Sequence, residues 1–218
     1  MGKVKVRIEV GLSFYNEFFI GGGKGISNID NYILKDINGL PYIPGSMLKG
    51  KLRYNFSRIY EMVSEKKCKM SDSGEKYCGC YICEMFGEKE NSRGSLYFSN
   101  LEIYNNGINK SNLYSVRNGI QINRYLKTTN DQSLFNTQTS GQAGELKFSG
   151  KIEGYLKSSD YRKQLILLYT ALKFTDSLGA SQSRGLGWLS DDKKIKIYVD
   201  NSEVTKQNLL DWREEVEV

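Results

Sequence analysis

The 218-residue chain contains no histidine. This absence excludes catalytic pairs in which histidine activates a serine or a cysteine, and it excludes zinc sites that use imidazole ligands. Any chemistry must therefore depend on carboxylates, lysine, arginine, tyrosine, cysteine or a bound metal ion.

Proline is almost as scarce, with 2 residues, and the 22 glycines form no repeat, which argues against fibrous and linker-like classes. No run approaches the roughly 18 apolar residues of a membrane helix, and the N-terminus alternates charged residues with Val and Ile instead of presenting a signal-peptide core. With 39% hydrophobic and 26% charged residues, the composition is globular. We expect a soluble, cytoplasmic protein without a membrane partner, built as one domain over residues 1–218 that carries insertions.

Charge is unevenly distributed along the chain, whose net charge is +6. No acidic residue occurs between Asp36 and Glu61, although four basic residues lie in that window. Between Tyr104 and Gly144 there is one acid, Asp131. These two segments are candidates for binding a polyanion.

Hydrophobic periodicity predicts the first strand and the first helix. Apolar residues alternate with charged ones from Val4 to Val10, as in a half-buried strand. After Pro44 we expect a helix with Ser46 as its N-cap, because apolar residues then recur every three or four positions, at Leu48, Leu52, Phe56, Ile59 and Val63.

The remaining patterns predict a strand over residues 95–103, a third around residues 146–155, a helix from about Tyr161 whose leucines continue to Leu178, and a last strand over residues 194–199. The expected fold is therefore α+β, with a ferredoxin-like, RNA-recognition-motif-like βαββαβ core. Two segments fit neither periodicity and are predicted to be insertions, namely the loop at residues 65–90 and the polar segment at residues 104–144.

Three basic residues lie where the first helix is predicted to begin. Lys49, Lys51 and Arg53 are unfavourable beside the positive end of a helix dipole, and an anion such as phosphate would relieve the conflict. Arg184, in the glycine-rich turn at residues 183–187, can reach a phosphate or pair with a carboxylate. A solvated helix face with ordinary surface lysines, and a plain turn, are the alternatives.

All four cysteines fall within one short segment, at Cys68, Cys78, Cys80 and Cys83. This spacing allows four thiolates to converge on one tetrahedral Zn²⁺ with a structural role. Free thiols or a single disulfide are the alternatives, and a reducing cytosol disfavours the disulfide.

Two loop aspartates precede the first helix. Asp30 and Asp36 can bind a hard cation such as Mg²⁺, or one of them can act on an RNA 2′-hydroxyl. Surface aspartates that pair with nearby lysines are the alternative.

Several motifs occur together in a fixed order: the glycine-rich loop and Asp30, then LPYIPGSMLKGKLR, a cysteine segment ending in CYICEMFG, RNGIQINR and LGASQSRGLGWL. In this order they resemble the repeat-spanning backbone subunits of type III CRISPR effector complexes, within the RAMP superfamily. The Csm-type subunit is the better match, and the Cmr-type subunit is its sibling.

The resemblance implies a filament of identical subunits along a CRISPR RNA, together with other type III effector subunits. Residues 104–144 would form a β-hairpin thumb that disturbs base stacking, with Arg124, Tyr125 and Phe135 near RNA. Asp30 stands where the family has a loop aspartate needed for metal-dependent cleavage of complementary target RNA. A non-cleaving RNA-binding backbone remains the alternative, whereas an RNA-processing endonuclease acting alone is disfavoured by the lack of histidine.

Overall fold

The structure is a computed structural model that describes residues 2–24, 29–64, 68, 78–87, 93–104, 108, 112–140 and 146–216. The first half comprises β1 (Lys3–Ser13), β2 (Gly21–Lys24), β3 (Asn31–Ile33), α1 (Gly45–Ser64), α2 (Tyr81–Phe86), β4 (Leu96–Phe98) and β5 (Glu102–Ile103). The second half comprises β6 (Tyr114–Asn123), β7 (Thr128–Ser140), β8 (Lys147–Lys157), α3 (Tyr161–Lys173), β9 (Lys194–Val199), β10 (Ser202–Val204) and α4 (Lys206–Val216). The expectation of an α+β protein is confirmed.

The larger sheet has the strand order β10-β9-β1-β8-β4, and β5 also pairs with β8. Every pairing in it is antiparallel. Two helices lie between its strands in the chain, so that the order of elements is β1, α1, β4, β8, α3 and β9.

The period-2 pattern of β1 separates the two faces of this sheet. Val6, Ile8 and Val10 are at most 1% exposed and share one core with residues of α1 and α3. The alternate positions, Lys5 and Arg7 among them, point to the opposite face because successive side chains of a strand alternate. The sheet therefore has one face in the core and one open, cation-rich face.

The first helix begins at Gly45, two residues earlier than an N-cap at Ser46 predicts, so Ser46 lies within its first turn. Its amide at Gly45 donates to Asn100 Oδ1 at 3.0 Å, so a distant side chain satisfies this helix end. Gly45 also lies against β4, since a Cβ there would stand 2.2 Å from the Phe98 carbonyl oxygen. Only tertiary packing explains why α1 begins at Gly45.

Two further boundaries differ from the prediction. The strand expected over residues 95–103 is divided into β4 and β5, both of which pair with β8. The helix that begins at Tyr161 ends at Lys173, and Leu178 lies beyond it as a buried loop residue whose N–H donates to the Gly187 carbonyl. A leucine can continue an apolar period without continuing the helix.

The cysteine segment is not a purely irregular insertion. Its C-terminal part forms α2, and Ile82, Met85 and Phe86 of this helix are at most 2% exposed within the main core. The expectation that the segment is a loop was wrong for these residues, because a six-residue helix is too short to show periodicity. Residues 65–67, 69–77 and 88–92 lie outside the described part of the chain.

The polar segment after β5 contributes a hairpin to a second sheet. Strands β6 and β7 are antiparallel over Tyr114–Ser140, with Asn123 opposite Thr128 next to the turn. This sheet has the order β2-β3-β7-β6, so the glycine-rich loop and the hairpin are joined. Among the described residues, no helix is both long and apolar enough to cross a lipid bilayer.

Two glycines of α1 provide a matched test of the packing of α1 on β4. Gly45→Ala should lower the free energy of unfolding by about 1–3 kcal/mol, because its Cβ meets the backbone of β4. Gly50→Ala should raise it by about 0.5–1 kcal/mol, since Gly50 has open space around it and alanine favours the helix. Urea unfolding followed by circular dichroism measures both, and shifts of the same sign would contradict the packing of α1 on β4.

Candidate nucleic-acid interface and metal centre

The four cysteines converge on one point at the start of α2. The Sγ atoms of Cys68, Cys78, Cys80 and Cys83 all lie within 4.8 Å of one another. The sulfur atoms of Cys68 and Cys83 are 3.4 Å apart. Four sulfur ligands at this spacing match the tetrahedral set that binds Zn²⁺.

Burial sets the protonation of these thiols. It raises the pKa of Cys80 to about 11, and it also raises the pKa of Cys83. Burial likewise raises the pKa of the neighbouring Tyr60 hydroxyl. A divalent cation would provide the positive charge that stabilises ionised thiolates in this apolar surrounding.

Polar contacts fix α2 to the rest of the core. Glu84 accepts hydrogen bonds from Lys157 Nζ at 3.0 Å and from Gln164 Nε2 at 3.5 Å. The Tyr81 hydroxyl donates to Asp160 at 2.8 Å. The four-cysteine cluster is thereby connected to β8 and to the start of α3.

Arg53 fixes the other end of α2. Its NH1 donates to the Gly87 carbonyl at 3.0 Å. This bond joins α1 to the residue that follows α2.

Asp30 is attached to the hairpin immediately before β3. Its Oδ2 accepts from the Asn136 N–H at 2.7 Å, while its own N–H donates to the Asn136 carbonyl at 3.1 Å. The side chain of the next residue, Asn31, donates to Thr137 Oγ1 at 3.4 Å. Asp30 is nevertheless exposed, so its carboxylate can meet a solvent-borne ligand.

Arg184 and Phe135 meet beside this aspartate. The Arg184 guanidinium lies 5.9 Å from the centre of the Phe135 ring, and Phe135 directly precedes Asn136. The ring also covers Gly119, where a Cβ would stand 2.2 Å from Phe135. Phe135 and Arg184 are therefore in contact midway along the hairpin, and Asp30 is bonded to the residue that follows Phe135.

Arg124 and Tyr125 lie in the turn at the hairpin tip, away from that group. Both are exposed, Tyr125 by 92%. Asn123 supports the turn, since its Oδ1 accepts from the Tyr125 N–H at 3.0 Å.

Asp36 shapes its own turn. Its Oδ1 accepts from the N–H groups of Asn38 at 2.9 Å and Leu40 at 2.8 Å. The Lys35 ammonium stacks on the Tyr114 ring at 4.0 Å. Burial, followed by the Asp36 charge, raises the pKa of Tyr114, whose hydroxyl donates to the Gly39 carbonyl at 2.6 Å. The 35–40 turn is thus attached to β6.

Glu17 is a connecting residue that the sequence patterns did not reveal. Its Oε2 accepts from Arg117 Nε at 2.7 Å and from Thr139 Oγ1 at 3.1 Å. The bonds join the segment after β1 to both hairpin strands. A lone glutamate between two phenylalanines carried no motif that would have indicated this contact.

The three cations of the first helix separate onto two sides. Lys49 and Arg53 line one cavity, whereas Lys51 lines another groove. Lys51 Nζ lies 3.4 Å from Asp176 Oδ1 and donates to Ser177 Oγ at 3.3 Å. Burial opposes ionisation of Asp176, but the Ser177 hydrogen bond and the Lys51 charge outweigh it and lower the pKa of this carboxyl.

The cavity beside Lys49 measures about 740 Å³ and lies at the β4 edge of the larger sheet. Its lining includes Lys5, Arg93, Tyr97 and Tyr155, none of which the sequence analysis had selected. Lys5 and Tyr155 occupy exposed positions in strands whose side chains alternate between buried and exposed. Such a pattern predicts that a side chain faces solvent, but it does not predict what that side chain binds.

Comparison with known proteins shows where the chain belongs. A profile of the RAMP superfamily matches residues 14–190. The chain belongs to the RAMP superfamily. The resemblance inferred from the motif order is therefore confirmed.

Two curated relatives carry the same name, CRISPR system Cms endoribonuclease Csm3. The protein of Methanothermobacter thermautotrophicus is 39% identical over 72 residues, which are 32% of this RAMP chain and 26% of that relative. The protein of Streptococcus thermophilus is 35% identical over 94 residues, which are 41% of this chain and 36% of that relative. The matched regions thus span about a quarter to a third of the relatives' lengths.

For the metal centre we expect about one Zn²⁺ per RAMP chain, measured by elemental analysis of protein purified without chelators. Cys80→Ser should lower the zinc content and the hydrogen-exchange protection of α2, because the metal no longer crosslinks the segment, while β1 and β8 stay protected.

Wild-type protein treated with a chelator is the matched control and should resemble Cys80→Ser. Absence of zinc from untreated protein, or equal loss of protection in α2 and β1, would contradict a local structural metal centre.

Proposed function

We propose that this chain is the backbone subunit of a type III CRISPR ribonucleoprotein, which binds guide RNA along a filament and cleaves complementary target RNA. The observation that carries the proposal is the RAMP superfamily match over residues 14–190. The names of the two relatives, which describe CRISPR-system endoribonucleases, support the enzymatic part. Further copies of the chain and other effector subunits would complete the complex.

We infer that residues 1–218 form one RAMP domain with a ferredoxin-like, RNA-recognition-motif-like core. The βαββαβ order of β1, α1, β4, β8, α3 and β9 supports this, as does the strand order β9-β1-β8-β4. Residues 65–90 would be the zinc-binding insertion. Residues 104–144 would be the thumb, which the hairpin of β6 and β7 supports.

Guide binding would rest on sugar-phosphate contacts, because a guide-carrying protein must accept any spacer sequence. Lys49 and Arg53 on one side of α1, and Lys51 on the other, would each contact the RNA backbone. Arg184 is exposed beside the middle of the hairpin and would hold a further phosphate. A phosphate at Lys51 must compete with Asp176.

The hairpin tip would act on bases. Arg124 and Tyr125 lie exposed in the turn between β6 and β7, and an unpacked aromatic ring can insert between stacked bases. Phe135, midway along the hairpin and half-buried, would flank the RNA beside Arg184.

Asp30 is the proposed catalytic residue. Its exposed carboxylate is held in place by the Asn136 backbone, so it can orient the attacking 2′-hydroxyl of the RNA. The 2′-oxygen attacks the adjacent phosphorus and loses its proton, the bond to the 5′-oxygen breaks, and that oxygen gains a proton. The products are a cyclic phosphate and a 5′-hydroxyl.

Mg²⁺ or another divalent cation bound near Asp30 would stabilise the phosphate charge during this attack. The described residues place no cluster of three ligating groups around Asp30. Magnesium characteristically takes one or two carboxylates together with waters and phosphate oxygens, and Asp30 with an RNA phosphate fits that set. Asp36, whose Oδ1 already accepts two N–H groups, is the lesser candidate.

The alternative is a non-cleaving RNA-binding backbone subunit of the same kind of complex. The bond from Asn136 to Asp30 favours this alternative, because the carboxylate already has a structural partner. A substitution that removes the Asp30 charge but keeps its hydrogen-bond acceptor distinguishes a cleaving subunit from a non-cleaving one.

Asp30→Asn keeps an oxygen that can accept from Asn136 and removes the negative charge. In assembled complexes this variant should slow target cleavage roughly 10²-fold or more. The affinities for guide and target RNA should stay unchanged or rise slightly, because a negative charge has been removed from an RNA-binding surface. Cleavage of labelled complementary RNA, with and without Mg²⁺, measures this.

Asp36→Ala is the comparison variant and should lower activity only in part while reducing stability, since its turn loses two hydrogen bonds. If Asp30→Asn and Asp30→Ala complexes cut at the wild-type spacing and rate, the chain is the non-cleaving backbone.

Guide binding can be tested at Arg184. Arg184→Gln should weaken binding by a similar factor for unrelated guide sequences and reduce the salt dependence by about one phosphate contact. Lys206→Gln on α4 is the matched control and should leave affinity unchanged. Loss confined to particular guide sequences would contradict a phosphate contact.

A further inference from the structure

The cavity at the β4 edge has a strong excess of positive charge. Four cations line it, Lys5, Lys49, Arg53 and Arg93, together with one acid, Glu153. That acid lies 3.2 Å from Lys151 Nζ, which offsets its charge. Such a lining attracts an anion.

Most of these cations are available to a ligand. Among the described residues, none places an acidic group within 4.0 Å of Lys5, Lys49 or Arg93, whereas Arg53 is bound to the Gly87 carbonyl. Like-charged groups that outnumber the acids beside them repel one another, so the arrangement favours a bound anion over an empty cavity.

Two tyrosines stand beside these cations on the open face of the sheet. Tyr97 of β4 is 68% exposed and Tyr155 of β8 is 54% exposed, although both rings are large and partly apolar. Tyr97 pairs with Glu153, so Tyr155 is its diagonal neighbour across the two strands. Diagonal neighbours in an antiparallel ladder are about 7–8 Å apart, and aromatic side chains can span that separation.

This separation suits a flat aromatic ligand. Carbon atoms in contact are about 3.5–4.0 Å apart. Two rings that hold a third ring between them are therefore separated by about twice that distance. A nucleobase has this thickness, and it is joined to a phosphate that the neighbouring cations can bind.

The rim of the cavity is built against the metal centre. Gly94 packs so closely on α2 that a Cβ would stand 2.5 Å from the Met85 carbonyl oxygen. The next residue, Ser95, donates its N–H to the Glu84 carbonyl at 2.9 Å. These contacts hold Arg93 and the start of β4 in fixed positions relative to α1.

We propose that this cavity is a binding subsite for one nucleotide of single-stranded RNA, with its base stacked at Tyr97 and Tyr155 and its phosphate held by Lys49 and Arg93. The inference rests on the proposed RNA-binding function and adds a base-stacking site on the sheet, separate from the hairpin. Stacking is tolerant of sequence because every base has an aromatic face.

The test compares two probes on the full chain, fluorescein-labelled U10 RNA and an abasic 10-mer with the same number of phosphates. Tyr97→Ala and Tyr155→Ala should each weaken U10 binding roughly 5- to 100-fold and leave the abasic affinity unchanged. Tyr97→Phe should keep wild-type binding, whereas Arg93→Gln should weaken both probes.

Tyr198→Ala is the matched control, because Tyr198 lies on β9 of the same sheet with Arg7 over its ring and does not line the cavity. It should leave both affinities unchanged. Crosslinking of wild-type protein to a 4-thiouridine probe should map to Tyr97 or Tyr155, and it requires no variant to fold.

The outcomes separate this inference from the function on which it rests. If Arg184→Gln weakens U10 binding while both tyrosine variants bind like wild type and crosslinks map elsewhere, the subsite is overturned and the guide-binding function stands. If wild-type protein binds neither probe and its complexes contain no RNA, the proposed function fails together with the subsite.

Discussion

The pairing of β1 with β8 is the constraint on which the rest of the molecule depends. It runs without a shift from Lys3 opposite Lys157 to Ser13 opposite Lys147. Because side chains alternate across a strand, this one register places apolar residues of both strands in the core and charged or aromatic ones on the open face. A slip by one residue would bury lysines and expose the core, so the register also determines where the cation-rich surface lies.

Helix α2 connects features that are far apart in the chain. Its first turn carries Cys80 and Cys83, its apolar side chains complete the core, and the Gly87 carbonyl that follows it receives Arg53 of α1. A metal ion bound by these cysteines would therefore be more than a crosslink within the cysteine segment. It would stabilise one wall of the cavity at the β4 edge, and so couple metal binding to the shape of a surface that has the charge to bind RNA.

The hairpin is attached to the core by polar contacts rather than by apolar burial. Glu17 accepts from both of its strands, and Asp30 exchanges hydrogen bonds with Asn136. Midway along the hairpin, Asn136 holds Asp30 and the preceding residue, Phe135, contacts Arg184. An exposed carboxylate with a backbone partner on one oxygen is both anchored and accessible, which is the combination that positioning a reactive hydroxyl requires.

The sequence by itself determined the α+β class, the principal strands and helices and the grouping of the four cysteines, because period-2 and period-3.6 patterns and short spacings are local properties. The order of its motifs indicated the superfamily by resemblance, and the profile match confirmed it. It did not determine the start of α1 at Gly45, since Asn100 and the β4 backbone impose it. It grouped Lys49, Lys51 and Arg53, whereas packing of α1 sends them to two sides. Only tertiary structure decided which side chains share a cavity, because strand pairing and helix packing join residues such as Lys5, Arg93 and Tyr155 that no sequence spacing relates.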